Sequence, residues 1–376
     1  MKEKQKLSVL NITLSSGGAE KVISLLLKEL VKDYDVTLFL FYDVVHFPVP
    51  DKVNKVILSN SDPFTNMSLS LPLFVYRYNK ELRKRNIKYA ISFLAYPNLV
   101  NGLISMWNPE IKTIISERGF PSDNTTSKVS FYTAKMFYPL LYNRCDKLFS
   151  NSVFINQDLK ENFGIKIPME VIYNPIEMPL LISRDYNNSN QVLRIITAGT
   201  LNTRKNQEMI IKALHRVSFN FYFSILGEGP LKNHLIELID SFGLQPKVKL
   251  EGKVKDVYNH LANNDLFILS SFTEGFPNAL LEAMSAGLPC ISTNCLSGPL
   301  ELLNEGSEVE IGTGSFYQAK YGILINNNDV TALVSAMSFL KENPSRLSHY
   351  SKMSLARAQS FDLKTIYSQF REFVEN

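Results

Sequence analysis

Short apolar runs bounded by turn-forming residues alternate with helix-period segments almost from one end of this chain to the other. No other feature narrows the possible folds as much. Two strands that run in the same direction need a crossover of about a dozen residues, usually a helix, so the alternation specifies parallel βαβ units. Residues 7–14, 35–42, 89–94, 112–116, 147–151 and 170–173 read as strands, with helices over 18–32, 74–85 and 129–143. The pattern then breaks across 174–190, where Pro175, Pro179 and the polar run 183–190 stand together. It restarts with strands over 192–198, 221–226, 248–251, 266–270, 290–293 and 322–325, helices over 206–216, 231–242 and 278–286, and helical patterns to the end. At 376 residues the chain is long for one domain. The expected fold class is α/β, with two doubly wound Rossmann-like domains facing a cleft: residues 1–175, a linker over 176–190, and residues 191–376, the last helix able to pack back on the first domain. Ligands of such sheets bind beyond the carboxyl ends of the strands.

Composition excludes several classes. Hydrophobic residues make up 45% and charged residues 20%, enough apolar material for globular cores. The apolar stretches at 22–30 and 266–271 fall short of the ~20 residues of a membrane span. The charged start, Met1 to Lys6, leads into a strand with no separate apolar region, so no secretory signal is expected. Cys145, Cys290 and Cys295 form no CxxC pair or metal-ligand cluster, and an odd, sparse set suits the cytoplasm. Charge is uneven: 22 basic residues stand against 16 acidic up to position 175, and 18 against 20 beyond it. The first half therefore carries the basic excess, which serves solubility or attracts an anionic partner such as a phospholipid surface or a pyrophosphate-bearing acceptor.

Chemistry concentrates in residues 265–289. A buried strand runs into the loop Glu274-Gly275-Phe276-Pro277, and the loop opens a helix at Asn278 and Ala279. Pro277 suits a first helical turn, where a missing N–H costs nothing. The amides of Gly275, Phe276, Asn278 and Ala279 would then favour an anion. Glu274 precedes the helix and Glu282 lies about one and a half turns into it, so both can project into one pocket and accept hydrogen bonds from vicinal hydroxyls. The bland alternative is an acid that caps a helix start, with Glu282 solvated.

This region resembles the large retaining GT-B glycosyltransferase family (family 4-like) of bacterial surface-polysaccharide and lipid-linked glycan assembly. Its Glu-x7-Glu signature corresponds to Glu274 and Glu282. Leu-Leu-Glu-Ala-Met-Ser-Ala-Gly-Leu-Pro at 280–289 and Ser-Gly-Pro-Leu-Glu at 297–301 look like the family's continuation. The resemblance implies that Glu282 binds the nucleotide ribose and that Glu274 contacts donor-sugar hydroxyls beside the Gly275–Pro277 backbone.

Two further blocks fit the same reading. Gly199-Thr200 through Arg204-Lys205 joins a strand end to a helix with two cations, a sensible pyrophosphate clamp, although an Arg-Lys pair at a helix start is often merely solvated. The family places an Arg directly after the glycine and a Lys several residues on. Lys205 fits the Lys, position 200 is Thr, and Arg204 is the candidate for the missing charge. Gly17 and Gly18 in Ser15-Ser16-Gly17-Gly18-Ala19-Glu20 follow the first strand; they form neither a P-loop nor GxGxxG. By resemblance they lie near the donor phosphates, and otherwise they are a tightly packed helix start. Gly227, in Gly-Glu-Gly-Pro, resembles the family's turn near the nucleotide, and Lys253 and Val254 its base-binding backbone. Arg118 stands where many relatives carry a His facing the donor sugar; it suits a phosphate or carboxylate of the acceptor, or a surface ion pair.

Asp33-Tyr34-Asp35 matches a DxD metal pattern but falls at the amino-end side of the sheet, and the five histidines show no ligand spacing. No metal or cofactor is expected. Trp107 and the aromatic 131–142 read first as core; the latter, with the basic 77–88, also suits a membrane-interfacial surface. The basic residues form no stripe broad enough for nucleic acid. The reading is thus a metal-independent enzyme moving a hexose or N-acetylhexosamine from a nucleotide sugar, UDP-linked by preference, to a polyprenyl-diphosphate-linked glycan. A nucleotide-sugar 2-epimerase and a non-catalytic sensor remain the alternatives.

Overall fold

The computed structural model describes residues 4–59, 70–123, 128–179, 186 and 192–376, without the side chains of 128–130. Most of the expected linker therefore lies outside the described residues. The chain divides into two units, Met1–Pro175 with Leu363–Asn376, and Ile176–Asp362.

In the first unit, β1 (Lys6–Asn11), β2 (Asp35–Leu40), β3 (Asn54–Ile57), β4 (Tyr89–Phe93), β5 (Lys112–Glu117), β6 (Lys147–Ser150) and β7 (Met169–Val171) form one sheet in the order β3-β2-β1-β4-β5-β6-β7, parallel throughout. Helices α1 (Gly18–Asp33), α2 (Leu71–Arg85), α3 (Ala95–Trp107), α4 (Lys128–Tyr142) and α5 (Val153–Phe163) are its crossovers. Such strands are covered on both faces, and β1, β2 and β4 are accordingly buried almost without interruption. Leu94, between β4 and α3, has a φ of 72° and ψ of 158°, a region that glycine alone adopts readily.

In the second unit, β8 (Leu193–Ala198), β9 (Phe221–Leu226), β10 (Val248–Gly252), β11 (Leu266–Leu269), β12 (Cys290–Thr293), β13 (Phe316–Gln318) and β14 (Ile323–Ile325) take the order β10-β9-β8-β11-β12-β14-β13, with only β13 antiparallel. A single 3-10 turn (Thr203–Lys205) leads into α6 (Gln207–Leu214). Then follow α7 (Lys232–Ser241), α8 (Val257–Ala262), α9 (Asn278–Ser285), α10 (Pro299–Asn304), α11 (Val330–Glu342) and α12 (Pro344–Gln359). Ile195, Ile210, Phe223, Ile268, Ile291, Ile323 and Leu333 share one core. Each sheet reverses its winding once, between β1 and β4 and between β8 and β11, and a doubly wound sheet opens for ligands at such a point.

The final helix, α13 (Leu363–Glu375), belongs to the first unit and buries Ile366, Phe370 and Phe373 there. The DxD-like segment helps to hold it: Tyr367 donates to Asp33 at 2.7 Å and Tyr34 to Glu375 at 2.8 Å. Trp107 departs from its expected place in the core. It ends α3 with 54% of its surface exposed, because α3 turns the face of Val100 and Ile104 inward. The aromatic segment of α4 divides, with Tyr142 buried and Tyr132, Met136, Phe137 and Leu140 exposed.

Candidate active site

The reversal between β8 and β11 brings together two loops some seventy residues apart in sequence. The Lys205 ammonium, from the loop after β8, lies 2.5 Å from Glu274 Oε1, from the loop after β11. Glu274 is 5% exposed. Ser271 donates a second hydrogen bond to the same oxygen at 2.6 Å. The loops are sewn together behind this pair. Ser270 Oγ donates to Lys205 O at 2.8 Å, Phe272 N to Arg204 O at 2.8 Å, and Thr293 Oγ1 to Ser271 O at 2.6 Å. Asn202 fixes the turn from the other side, its side chain accepting from Lys205 N at 3.1 Å. Neither Ser271 nor Asn202 was singled out by sequence reasoning; a hydroxyl three residues before Glu274 is the local signal for the first.

Glu282, one turn inside α9, is 8% exposed, so it is not the solvated acid of the bland alternative. Tyr258 on α8 lies near it: burial, and then the Glu282 charge, push the phenol well above its ordinary range. Phe276 packs its ring against Phe361. Pro277 immediately precedes α9, which begins at Asn278 and Ala279, and Gly298 (φ 95°) lets the next loop pass so close that a Cβ there would meet the Pro277 ring.

The remaining sequence candidates of this unit sit on adjoining strand ends. Gly199 N donates to Leu226 O (2.9 Å), Leu201 N to Glu228 O (3.0 Å) and Gly227 N to Gly252 O (2.8 Å), so the turns after β8, β9 and β10 form one backbone-bonded shelf. Lys253 and Val254 follow it. Thr200 and Arg204 are exposed on the β8 loop, whereas Lys205 points inward to Glu274. Lys205 is thus the cation built into the site.

Gly17, Gly18 and Arg118 belong to the first unit. Gly17 caps α1 with no side-chain bond of its own, and Glu20 folds back over the turn, so that a Cβ on Gly17 would strike its carboxylate. Arg118 follows β5 and is buried, with its Cζ 5.4 Å from the rings of both Phe93 and Phe149. Among the described residues it is no surface ion pair. Its neighbour Glu117, also buried, accepts from Tyr142 at 3.0 Å and from Arg118 N at 3.2 Å. Burial raises the Glu117 carboxyl to about 7 and lowers the Arg118 guanidinium to about 9.

The Glu117 shift has a measurable consequence. Between its ordinary value and about 7, the folded state keeps a proton that the unfolded state has lost, so stability falls as pH rises through that window. Between pH 5 and 8 the wild type is expected to lose on the order of 2–3 kcal/mol relative to Glu117→Gln, measured by urea unfolding. A difference that stays flat, or that grows the other way, would show a carboxylate ionised throughout.

Comparison with known proteins agrees with this architecture. Residues 16–178 match the model described as Glycosyltransferase Family 4, and residues 193–343 match Glycosyl transferases group 1. The chain is therefore a glycosyltransferase of the GT-B class, carrying one domain of each kind. Among its relatives, a Campylobacter jejuni protein is 28% identical over 95% of this chain and 96% of its own length. That relative is named N-acetylgalactosamine-N,N'-diacetylbacillosaminyl-diphospho-undecaprenol 4-alpha-N-acetylgalactosaminyltransferase. A second from that organism, 23% identical over 98% of each chain, is a GalNAc-alpha-(1->4)-GalNAc-alpha-(1->3)-diNAcBac-PP-undecaprenol alpha-1,4-N-acetyl-D-galactosaminyltransferase. Anabaena HepE, solved with UDP and glucose, superposes with a TM-score of 0.77 at 19% identity over 99% of both chains. Among the described residues no helix is long and apolar enough to cross a membrane.

Proposed function

We propose that this glycosyltransferase moves a hexose or N-acetylhexosamine from a UDP-sugar to a hydroxyl of a glycan carried on a polyprenyl diphosphate, with retention at the anomeric carbon and without a metal. The observation that carries the reading is the buried Lys205–Glu274 pair at the strand-order reversal, with Glu282 also buried, on the helix α9 that the Glu274 loop opens. A cation fixed there can stabilise the charge that develops on a departing diphosphate. Carboxylates beside it can accept bonds from sugar and ribose hydroxyls. In this scheme the bond from the anomeric carbon to the diphosphate breaks as the acceptor oxygen bonds to the same face. The acceptor proton passes to the leaving diphosphate oxygen. The Campylobacter relatives' undecaprenol-linked substrates and the UDP in the HepE structure support the choice of acceptor and donor. Peripheral contact with the cytoplasmic membrane face is part of the proposal. It draws on the basic first half and on exposed Tyr132, Met136 and Leu140 beside Lys135 on α4.

The test is incubation with a panel of labelled UDP-sugars and a lipid-linked acceptor extract, with and without chelator. Labelled glycolipid is expected from one donor and should persist in chelator. An epimerised donor formed without acceptor, or donor binding with no turnover, would overturn the reading, and loss of activity in chelator its metal-free part. Glu282→Ala should weaken UDP binding by roughly 10- to 150-fold, since a charge-assisted hydrogen bond contributes about 1.5–3 kcal/mol; an unchanged Kd would remove Glu282 from the site.

A further inference from the structure

The first unit holds a buried guanidinium, two of whose nitrogens find no hydrogen-bond partner among the described residues. Arg118 is 8% exposed, and its Nε and Nη1 are buried with no hydrogen-bond partner among the described residues. The adjacent Glu117 attracts the guanidinium but gives it no hydrogen bond, because its carboxylate accepts from the Tyr142 hydroxyl and from the Arg118 backbone amide. Phe93 and Phe149 lie against the guanidinium, each at 5.4 Å. Ring faces attract a cation, but they offer no acceptor and return only part of the hydration that burial removes. A guanidinium kept in this state is a donor set prepared for an anion that comes from elsewhere.

We infer that Arg118 binds a phosphate oxyanion of a substrate at the carboxyl end of β5. This rests on the reading of the protein as a transferase whose donor and acceptor both bear a diphosphate. Two features of the same sheet end accord with it. Asn11 Oδ1 at the end of β1, Ser116 Oγ on β5 and Asn151 Oδ1 after β6 are buried and unpaired among the described residues, so this sheet end carries acceptors for hydroxyls as well as donors for phosphate. Leu94, which follows Phe93, is held in its strained conformation with its amide donating to Ser116 O at 3.0 Å. The backbone there is constrained beside the ring that orients the guanidinium. With its pKa lowered to about 9, Arg118 remains protonated at neutral pH.

The probes are inorganic pyrophosphate, UDP and geranylgeranyl diphosphate, titrated into the full chain by calorimetry and followed by the 15N signal of Arg118 Nε–H. At least one probe is expected to shift that signal. Arg118→Met, which keeps volume and removes charge, should lose tenfold or more in affinity for the same probe, and Arg118→Lys should recover part of it. Loss confined to UDP assigns the donor diphosphate, and loss confined to the prenyl diphosphate assigns the acceptor. An Arg118 signal that none of the three moves overturns the inference in the wild-type protein, whether or not Arg118→Met folds. If UDP still binds in a Glu282-dependent way in that case, the transferase reading survives and this inference alone falls. A chain that binds none of the probes loses both.

Discussion

Lys205→Ala is expected to destabilise the second unit by about 3 kcal/mol and to lower turnover at least a hundredfold. The stability loss follows from removing one member of a buried ion pair: Glu274 would keep its place under the loops with its Coulombic partner gone. The alanine also deletes the charge proposed to face the leaving diphosphate, so activity should fall further than stability accounts for. Glu274→Ala should cost a similar amount of stability, since it strands the ammonium and the Ser271 hydroxyl. The double variant discriminates. With both charges gone the penalty for an unpaired one disappears, so its loss should be smaller than the sum of the singles by about 1–3 kcal/mol. Urea unfolding of the four proteins closes the cycle. Additivity within about 0.5 kcal/mol would mean that the two groups do not interact in solution.

Gly227→Ala is the second large effect, and it acts through the backbone. Gly227 has a φ of 136°, and a Cβ there would run into the carbonyl oxygen of Gly199, which is fixed main chain. The turns after β8 and β9 would have to part, and the bonds from Gly199 N to Leu226 O and from Gly227 N to Gly252 O would go with them. Backbone strain and lost bonds together should cost about 3 kcal/mol or more. Gly243→Ala is the matched control: its φ is 65°, but nothing lies within 4 Å of the added Cβ, so only the conformational cost of about 1–2 kcal/mol applies. Equal losses for the two variants would show that the close approach of Gly199 and Gly227 is not a feature of the folded protein. A nucleotide-binding assay on Gly227→Ala, at a temperature where it stays folded, should also show weakened UDP binding, because the shelf that the turns form is displaced.

Much of the fold was legible because the central strands are buried on both faces and their apolar runs can be read directly. The elements missed have physical reasons. The helix α3, with Pro97, Asn98, Asn101 and Gly102, has poor intrinsic propensity. It forms because Asn98 donates to Ser116 O (2.9 Å) and Asn101 to Ala90 O (3.0 Å), bonds to strands that do not exist until the sheet does. The edge strands β3 and β13 are short and largely exposed, so they carry little apolar signal. Gly102 in α3 is a packing glycine, since a Cβ there would meet the Leu141 backbone of α4.

The sequence by itself determined the two α/β halves and the residues that bear charge and hydroxyl-binding capacity, Lys205, Glu274 and Glu282. Each of these is written locally, at a strand end, a glycine turn or a helix start. Tertiary structure alone decided that Lys205 and Glu274 touch. That contact depends on β8 lying beside β11, and strand order is a property of how crossovers wind around the sheet, not of any local segment. It likewise decided that Arg118 is buried, with Nε and Nη1 lacking a hydrogen-bond partner among the described residues, and is no surface ion pair. Burial and the absence of a partner are properties of what the rest of the chain brings to a residue, and no spacing in the sequence records them.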